Sequence, residues 1–226
     1  MSGFVLPEVV SPALLIFDWD GTLCDSLHRI AYCLQLAADD VGLPVPTVEA
    51  AKDIIGLGLY EALTQLFPGI DSGEVQQLRN SYAGHFRRVD QTPSPLFGDV
   101  ERSLVDLRDQ GYVLAVATGK SRAGLDRVLQ ALSMKNLFHS TRCADETASK
   151  PDPLMLQSLL EEHGLPAQQA IMVGDTTFDM EMAQRAGVPR IAVSYGAHSH
   201  ERLARHHPLA CIDRFSDFEK TLKTIK

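Results

Sequence analysis

The 226-residue sequence predicts an α/β protein, a doubly wound parallel sheet with an all-helical unit inserted after the first strand. Three observations carry that prediction. Short apolar runs that stop at turn residues read as fully buried strands, and Leu14-Leu15-Ile16-Phe17 is the first of them. From Asp99 onward such runs alternate with segments whose apolar residues recur at helical spacing, as right-handed crossovers between parallel strands require. Between Leu27 and Pro95 no strand-like run occurs, so that stretch reads as a small, separate helical unit.

The elements follow in order. After the first strand, Ser26 to Val41 places Ile30, Leu34, Ala37, Ala38 and Val41 on one helical stripe, which Gly42-Leu43-Pro44 ends. Residues 47–67 suggest two short helices around Gly56-Leu57-Gly58. Val75, Leu78, Tyr82, Phe86 and Val89 form another stripe, and Gln91-Thr92-Pro93-Ser94-Pro95 breaks it. Val113 to Thr118 is a strand, Ser121 to Leu132 a helix, and Ser140 to Cys143 a short strand. Pro153 to His163 is a helix with Asp152 as N-cap and proline in its first position. Ala170 to Val173 is a strand, Thr176 to Ala186 a helix closed by Gly187, and Ile191 to Val193 a strand. Cys211-Ile212 adds an edge strand before a final helix. The expected division is a core of residues 1–24 and 96–226 and a helical cap of residues 25–95.

Composition narrows the function. The chain is 45% hydrophobic and 22% charged with a net charge of −8, which opposes binding to nucleic acid or to an anionic membrane surface. No apolar segment approaches the ~20 residues of a membrane span, and the N-terminus lacks a basic region before an apolar one, so the expected compartment is the cytoplasm. Cys24, Cys33, Cys143 and Cys211 form no CxxC pair and read as reduced thiols.

The chemistry concentrates where predicted strands end. Asp18 and Asp20 follow the first strand, Thr118-Gly119 the second, and Asp175 with Asp179 follow Val173, while Lys150 precedes a helix. In a parallel sheet all strand carboxyl ends share one edge, so these groups can converge. Four carboxylates against one lysine would repel an anionic substrate unless a divalent cation intervened, and an oxygen-rich site suits magnesium. That geometry requires the carboxyl oxygens of Asp18 and Asp175 to lie close enough to share an ion. The residue types fit phosphoryl transfer: a carboxylate attacks phosphorus, and a second carboxylate moves the proton.

Asp18-Trp19-Asp20-Gly21-Thr22-Leu23, Ala117-Thr118-Gly119-Lys120-Ser121, Lys150-Pro151-Asp152-Pro153 and Gly174-Asp175-Thr176-Thr177-Phe178-Asp179 together resemble the four ordered motifs of haloacid dehalogenase-like hydrolases. The insert resembles the cap of the phosphoglycolate-phosphatase-like branch, over a Rossmann-like core. The resemblance implies Asp18 as nucleophile and Asp20 as general acid/base. It implies Thr118, with the turn at Gly119, and Lys150 as phosphate ligands. It implies a Mg2+ held by the Asp18 carboxylate, the Asp20 backbone carbonyl and Asp175, with Asp179 orienting Lys150 or an outer water. The expected activity is hydrolysis of a small phosphorylated metabolite by a monomer or homodimer. A phosphomutase or pyrophosphatase of the same fold, and a phospho-receiver signalling module, are the competing readings.

Other residues carry plainer expectations. Trp19 is expected to pack or touch the lid, Lys120 to be solvated or else to touch substrate, and Gly56-Leu57-Gly58-Leu59 to connect helices or else to read substrate. Asp175 could cap the helix at Thr176 as well as bind metal. Arg79, Arg87 and Arg88 read as a solvated helix face, one of which could meet a substrate carboxylate, and His198, His200, His206 and His207 as a surface patch. Lys52 is set aside as a Schiff-base lysine, because the phosphonate-cleaving relatives that use one lack the second aspartate.

Overall fold

The computed structural model describes residues 11–89 and 93–225; Gln91 and Thr92 of the expected break, and residues 1–10 of the expected core, lie outside the described residues. Six strands form one parallel sheet: β1 (Leu14–Phe17), β2 (Val113–Thr118), β3 (Ser140–Cys143), β4 (Ala170–Gly174), β5 (Arg190–Val193) and β6 (Ala210–Ile212). Their order is β3-β2-β1-β4-β5-β6. The chain therefore runs from β1 out to one edge, then returns to the other side of β1 with β4. Leu14 to Phe17 register with Val113 to Val116 on one side and with Ala170 to Val173 on the other. The crevice outside the carboxyl ends of β1 and β4, where the strand order reverses, is the ligand position of doubly wound sheets.

Two-residue periodicity sends the strand side chains to two apolar layers. Leu15 and Phe17 pack with Val116 and Val173 against α5 (Val100–Asp109), α6 (Arg122–Ala131) and α10 (Phe218–Thr224). Leu14 and Ile16 pack on the other face against α7 (Leu154–His163) and α8 (Thr177–Ala186). Both layers are fully buried, which is why these strands read as unbroken apolar runs.

Between β1 and α5 lie α1 (Leu27–Val41), α2 (Val48–Lys52), α3 (Leu59–Leu66) and α4 (Ser72–Val89). They close on a core of their own, with Leu34, Ala38, Leu63, Val75 and Leu78 at its centre. Phe178 and Ala197 from the sheet side pack against that second core, so the helical unit rests on the carboxyl end of the sheet.

Three details correct the sequence reading. The helix after Lys150 starts at Leu154, with Pro153 in the cap position; the Asp152 carboxylate still accepts from the Leu154 N–H at 2.9 Å, one residue further out than expected. The helix after β4 is capped by Thr176, in extended conformation, and not by Asp175: the Thr176 hydroxyl accepts from the Asp179 N–H, and the Asp179 carboxylate reaches back to the Thr176 N–H. That reciprocal cap leaves Asp175 available for other work. Finally, α5 and the short α9 (His200–Ala204) are helices that the sequence reading did not mark. No helix among the described residues is long and apolar enough to cross a membrane.

Candidate active site

Asp18 extends β1 by one residue: its N–H donates to the Val173 carbonyl at 2.9 Å, continuing the ladder with β4. Asp175 follows the last residue of β4, so the sheet register itself sets the two carboxylates side by side. One oxygen each from Asp18, Asp175 and Asp179 lies within 4.8 Å of the others, and all three residues are buried. The turn after Asp20 permits this. Gly21 has φ +82°, and a side chain there would collide with the Asp175 carboxylate. The Thr22 hydroxyl donates to Asp175 Oδ1 at 2.9 Å, and the Ala197 N–H donates to Oδ2 at 2.7 Å. Burial pushes the Asp175 carboxyl up to about 7, and the Asp179 carboxylate adds to the rise.

Lys150 lies behind Asp18, its side chain wholly buried, with Nζ 2.7 Å from both Asp18 Oδ1 and Asp179 Oδ1. Burial alone would lower the lysine; the Asp179 and Asp18 carboxylates outweigh it and hold the ammonium above its ordinary range. The Asp18 carboxyl is raised well above its ordinary value by burial, a rise that Lys150 opposes and that Asp179 and Asp175 strengthen. Asp179 uses both oxygens, one on Lys150 and the other on Thr176, whose hydroxyl donates to it at 2.7 Å. Asp18 Oδ2 is the contrast. It is buried and has no hydrogen-bond partner among the described residues. A buried oxygen of this kind, beside a second carboxylate in a site whose donors are all oxygen, fits a hard divalent cation.

Asp20 is held separately. Lys120 Nζ is 2.9 Å from its Oδ2, and the Ser26 hydroxyl donates to Oδ1 at 2.5 Å. Lys120 is nearly buried and does not behave as the solvated lysine expected: its ammonium lies between Asp20 and the Phe86 ring of α4, 5.2 Å from the ring centre. The local charge is therefore four carboxylates against two ammonium groups, a smaller surplus than the sequence suggested. Thr118, at the end of β2, is buried and accepts from the Lys120 N–H at 3.2 Å. Beside it the backbone of Gly119 meets the Gly56 and Leu57 carbonyls of the helical unit so closely that a side chain could not be accommodated.

A cavity of about 530 Å3 opens from these groups into the space under the helical unit. Asp18, Asp20, Thr118 and Gly119 form its closed end, whereas Lys150, Asp175 and Asp179 stand behind Asp18, outside the lining. Gly56, Leu57 and Gly58, expected as a helix connector, lie on its wall, with the Gly58 N–H donating to the Ser149 hydroxyl at 2.8 Å. Lys52 is not part of the lining. Trp19 is fully buried and packs edge-on to Phe138 as expected of a packing residue.

Sequence reasoning missed Lys120, Ser26, Thr22 and the Ala197 N–H. Lys120 carried a signal, since it directly follows the Thr118-Gly119 strand end; the others are common residue types identified only by their contacts. The histidine patch needs one correction. His198 is 1% exposed, its Nδ1 accepts from the Thr177 N–H at 2.9 Å, and its ring packs on Phe178. It is a buried partner of the α8 N-terminus, where a free backbone donor needs an acceptor.

The sheet order, the strand-end carboxylates and the helical insert define a class, and comparison with known proteins names it. The haloacid dehalogenase-like hydrolase model matches residues 15–193, and the chain belongs to that family. It is 35% identical over 210 residues to a phosphoglycolate phosphatase of Aliivibrio fischeri, covering 89% of this chain and 92% of that protein. It is also 35% identical over 208 residues to the Dickeya dadantii protein named Probable phosphatase IndB, covering 90% of each chain. Among solved structures, that of a predicted phosphoglycolate phosphatase from Haemophilus somnus superposes with a TM-score of 0.81 at 27% identity, covering 93% of this chain and 98% of the other. The chain thus stands in the phosphoglycolate-phosphatase-like branch of the family, an enzyme of the phosphoric monoester hydrolase type.

Proposed function

We propose that this chain is a magnesium-dependent phosphatase that hydrolyses a small phosphorylated metabolite of the phosphoglycolate type through an aspartyl-phosphate on Asp18. The observation that carries the reading is the state of Asp18. Among the described residues it alone belongs both to the cavity wall and to the buried carboxylate cluster, and its Oδ2 has no hydrogen-bond partner there. The Asp18 carboxylate, the Asp20 carbonyl and Asp175 would hold Mg2+, whose charge admits a phosphate dianion to an acidic site and favours the ionised form of Asp18.

The residues divide the reaction among themselves. An Asp18 carboxylate oxygen bonds to phosphorus as the phosphorus–oxygen bond to the metabolite breaks, and Asp20 gives its proton to the departing oxygen. Water then attacks the same phosphorus, Asp20 takes its proton, the acyl phosphate bond breaks, and inorganic phosphate leaves with Asp18 restored. Thr118 and the Gly119 turn hydrogen-bond the transferring oxygens at the closed end of the cavity. Lys150 holds Asp18 in place and offsets its charge, and Asp179 fixes Lys150 from behind. Residues 25–95 act as a cap that keeps bulk water from the intermediate, over the core of 1–24 and 96–226.

Asp18→Asn tests this directly. With Mg2+ and 4-nitrophenyl phosphate, the variant is expected to lose at least about 1,000-fold in kcat while keeping its circular dichroism spectrum. Retention of a tenth of wild-type activity removes Asp18 as nucleophile. Equimolar inorganic phosphate and alcohol among the products separates the hydrolase from a mutase.

A further inference from the structure

The cavity changes character along its length. Besides Asp18 and Asp20 its lining is largely apolar, with Ile30, Leu34, Ile55 and Leu57 from the helical unit and the Phe86 ring of α4, which stands 5.2 Å from the Lys120 ammonium that pairs with Asp20. Unlike these buried apolar groups, three cations of the lining are exposed: Arg79 and Arg87 of α4 and Arg127 of α6. Arg79, Ala83, Phe86 and Arg87 are spaced so that α4 turns all four to one side. Arg88 faces elsewhere and is held by the His85 ring at 3.0 Å. The turns flanking Arg79 (Val75, Gln76, Tyr82 and Ala83) supply no carboxylate to neutralise it. Arg127 extends over the Phe86 ring from across the cleft, its guanidinium carbon 5.8 Å from the ring centre. Two acids also line the cavity, Glu61 and Asp145, but Asp145 already accepts from the Arg122 N–H at 2.9 Å.

We propose that Arg79 and Arg87, with Arg127 opposite, form a distal anion subsite, and that the substrate is a phosphate monoester carrying its second anionic group on an apolar body longer than two carbons. The proposal rests on the phosphatase reading above and specifies its substrate. Guanidinium groups suit carboxylate or phosphate through paired hydrogen bonds. Size argues for the longer body. At about 30 Å3 per water-sized group, phosphoglycolate fills only about half of a 530 Å3 cavity. An anion seated on these guanidinium groups while the phosphorus meets Asp18 must span the apolar stretch between them.

The test uses two esters that differ by one carboxylate, phenyl phosphate and 4-carboxyphenyl phosphate, together with phosphoglycolate, all with Mg2+. The wild type is expected to favour the carboxylated ester over phenyl phosphate by at least tenfold in kcat/KM, and to turn over phosphoglycolate less efficiently than the carboxylated ester. In R79A/R87A the ratio of the two aryl esters should fall toward one, through KM, and R79K/R87K should restore part of it. Taking the ratio within one variant cancels any general loss of active protein. A wild-type ratio near one, a ratio unchanged in R79A/R87A, or phosphoglycolate as the best of the three overturns the subsite. Failure of the wild type to hydrolyse any of the three sinks the phosphatase reading and the subsite with it.

Discussion

The end of the sheet and the helical unit above it treat charge in opposite ways. At the strand ends, Asp18, Lys150, Asp175 and Asp179 are buried against one another, and their contacts are fixed by backbone register and a helix cap. On the helical unit the cations that line the cavity, Arg79 and Arg87, are exposed. In a buried ion network rich in acids, loss of the cation is the costly change, because it leaves the carboxylates uncompensated in a medium that cannot solvate them. An exposed arginine can be exchanged at small cost to folding. On the proposed reading, reaction chemistry falls to the part of the molecule least able to vary, and substrate choice to the part that can.

Lys150→Met is the largest test of that contrast. It keeps an unbranched side chain one atom shorter and leaves Asp18 and Asp179 facing each other without a cation. The expected loss is about 3–5 kcal/mol in denaturant unfolding, with part recovered in K150M/D179N. A loss under about 1 kcal/mol would mean that the buried charges do not form one unit.

Proton linkage at Asp175 gives a smaller effect. Its carboxyl is raised to about 7 from an ordinary 3.8, so the metal-free fold takes up a proton there that the unfolded chain does not hold. This contribution to stability is complete below 3.8 and is lost as pH rises through about 7. A cation bound to Asp175 must displace that proton. Apparent Mg2+ affinity is expected to weaken by up to about tenfold for each pH unit below 7, and calorimetry in two buffers should record proton release on binding. An affinity that stays flat from pH 6 to 8 would remove Asp175 from the ligand set.

The smallest effect is expected where the two regions meet at the surface. Arg202 of α9 pairs with Asp53 beyond α2 at 2.5 Å, with side chains 41% and 55% exposed. A double-mutant cycle of Arg202→Ala with Asp53→Ala should return a coupling of at most about 1 kcal/mol. A coupling above about 2 kcal/mol would show that the junction is held as tightly as the catalytic end.

Much of this architecture was legible in the residues. Leu14 to Phe17 announced a buried strand because both of its faces are covered, and the stripe from Val75 to Val89 announced α4 because one side of it packs on α1. Asp18, Asp20 and Asp175 were legible because they follow strands, and all parallel strands end on one edge. Lys120 was misread although it follows a strand end, because its partners, Asp20 and Phe86, lie 100 and 34 positions away. His198 was grouped with exposed histidines because their spacing is irregular and no carboxylate cluster adjoins them in sequence, although its partners are Thr177 and Phe178.

What the sequence determined by itself is what short-range physics controls. Apolar period, turn chemistry and capping set the strands and helices, and hence the line of acids at the sheet edge. The tertiary structure alone decided which acid meets which cation, which oxygen of Asp18 is left unpaired, and how far the cavity extends from Asp18 to the arginines of α4. Those quantities depend on approach between groups distant in the chain, and distances of a few ångströms between such groups exist only once the apolar layers have closed.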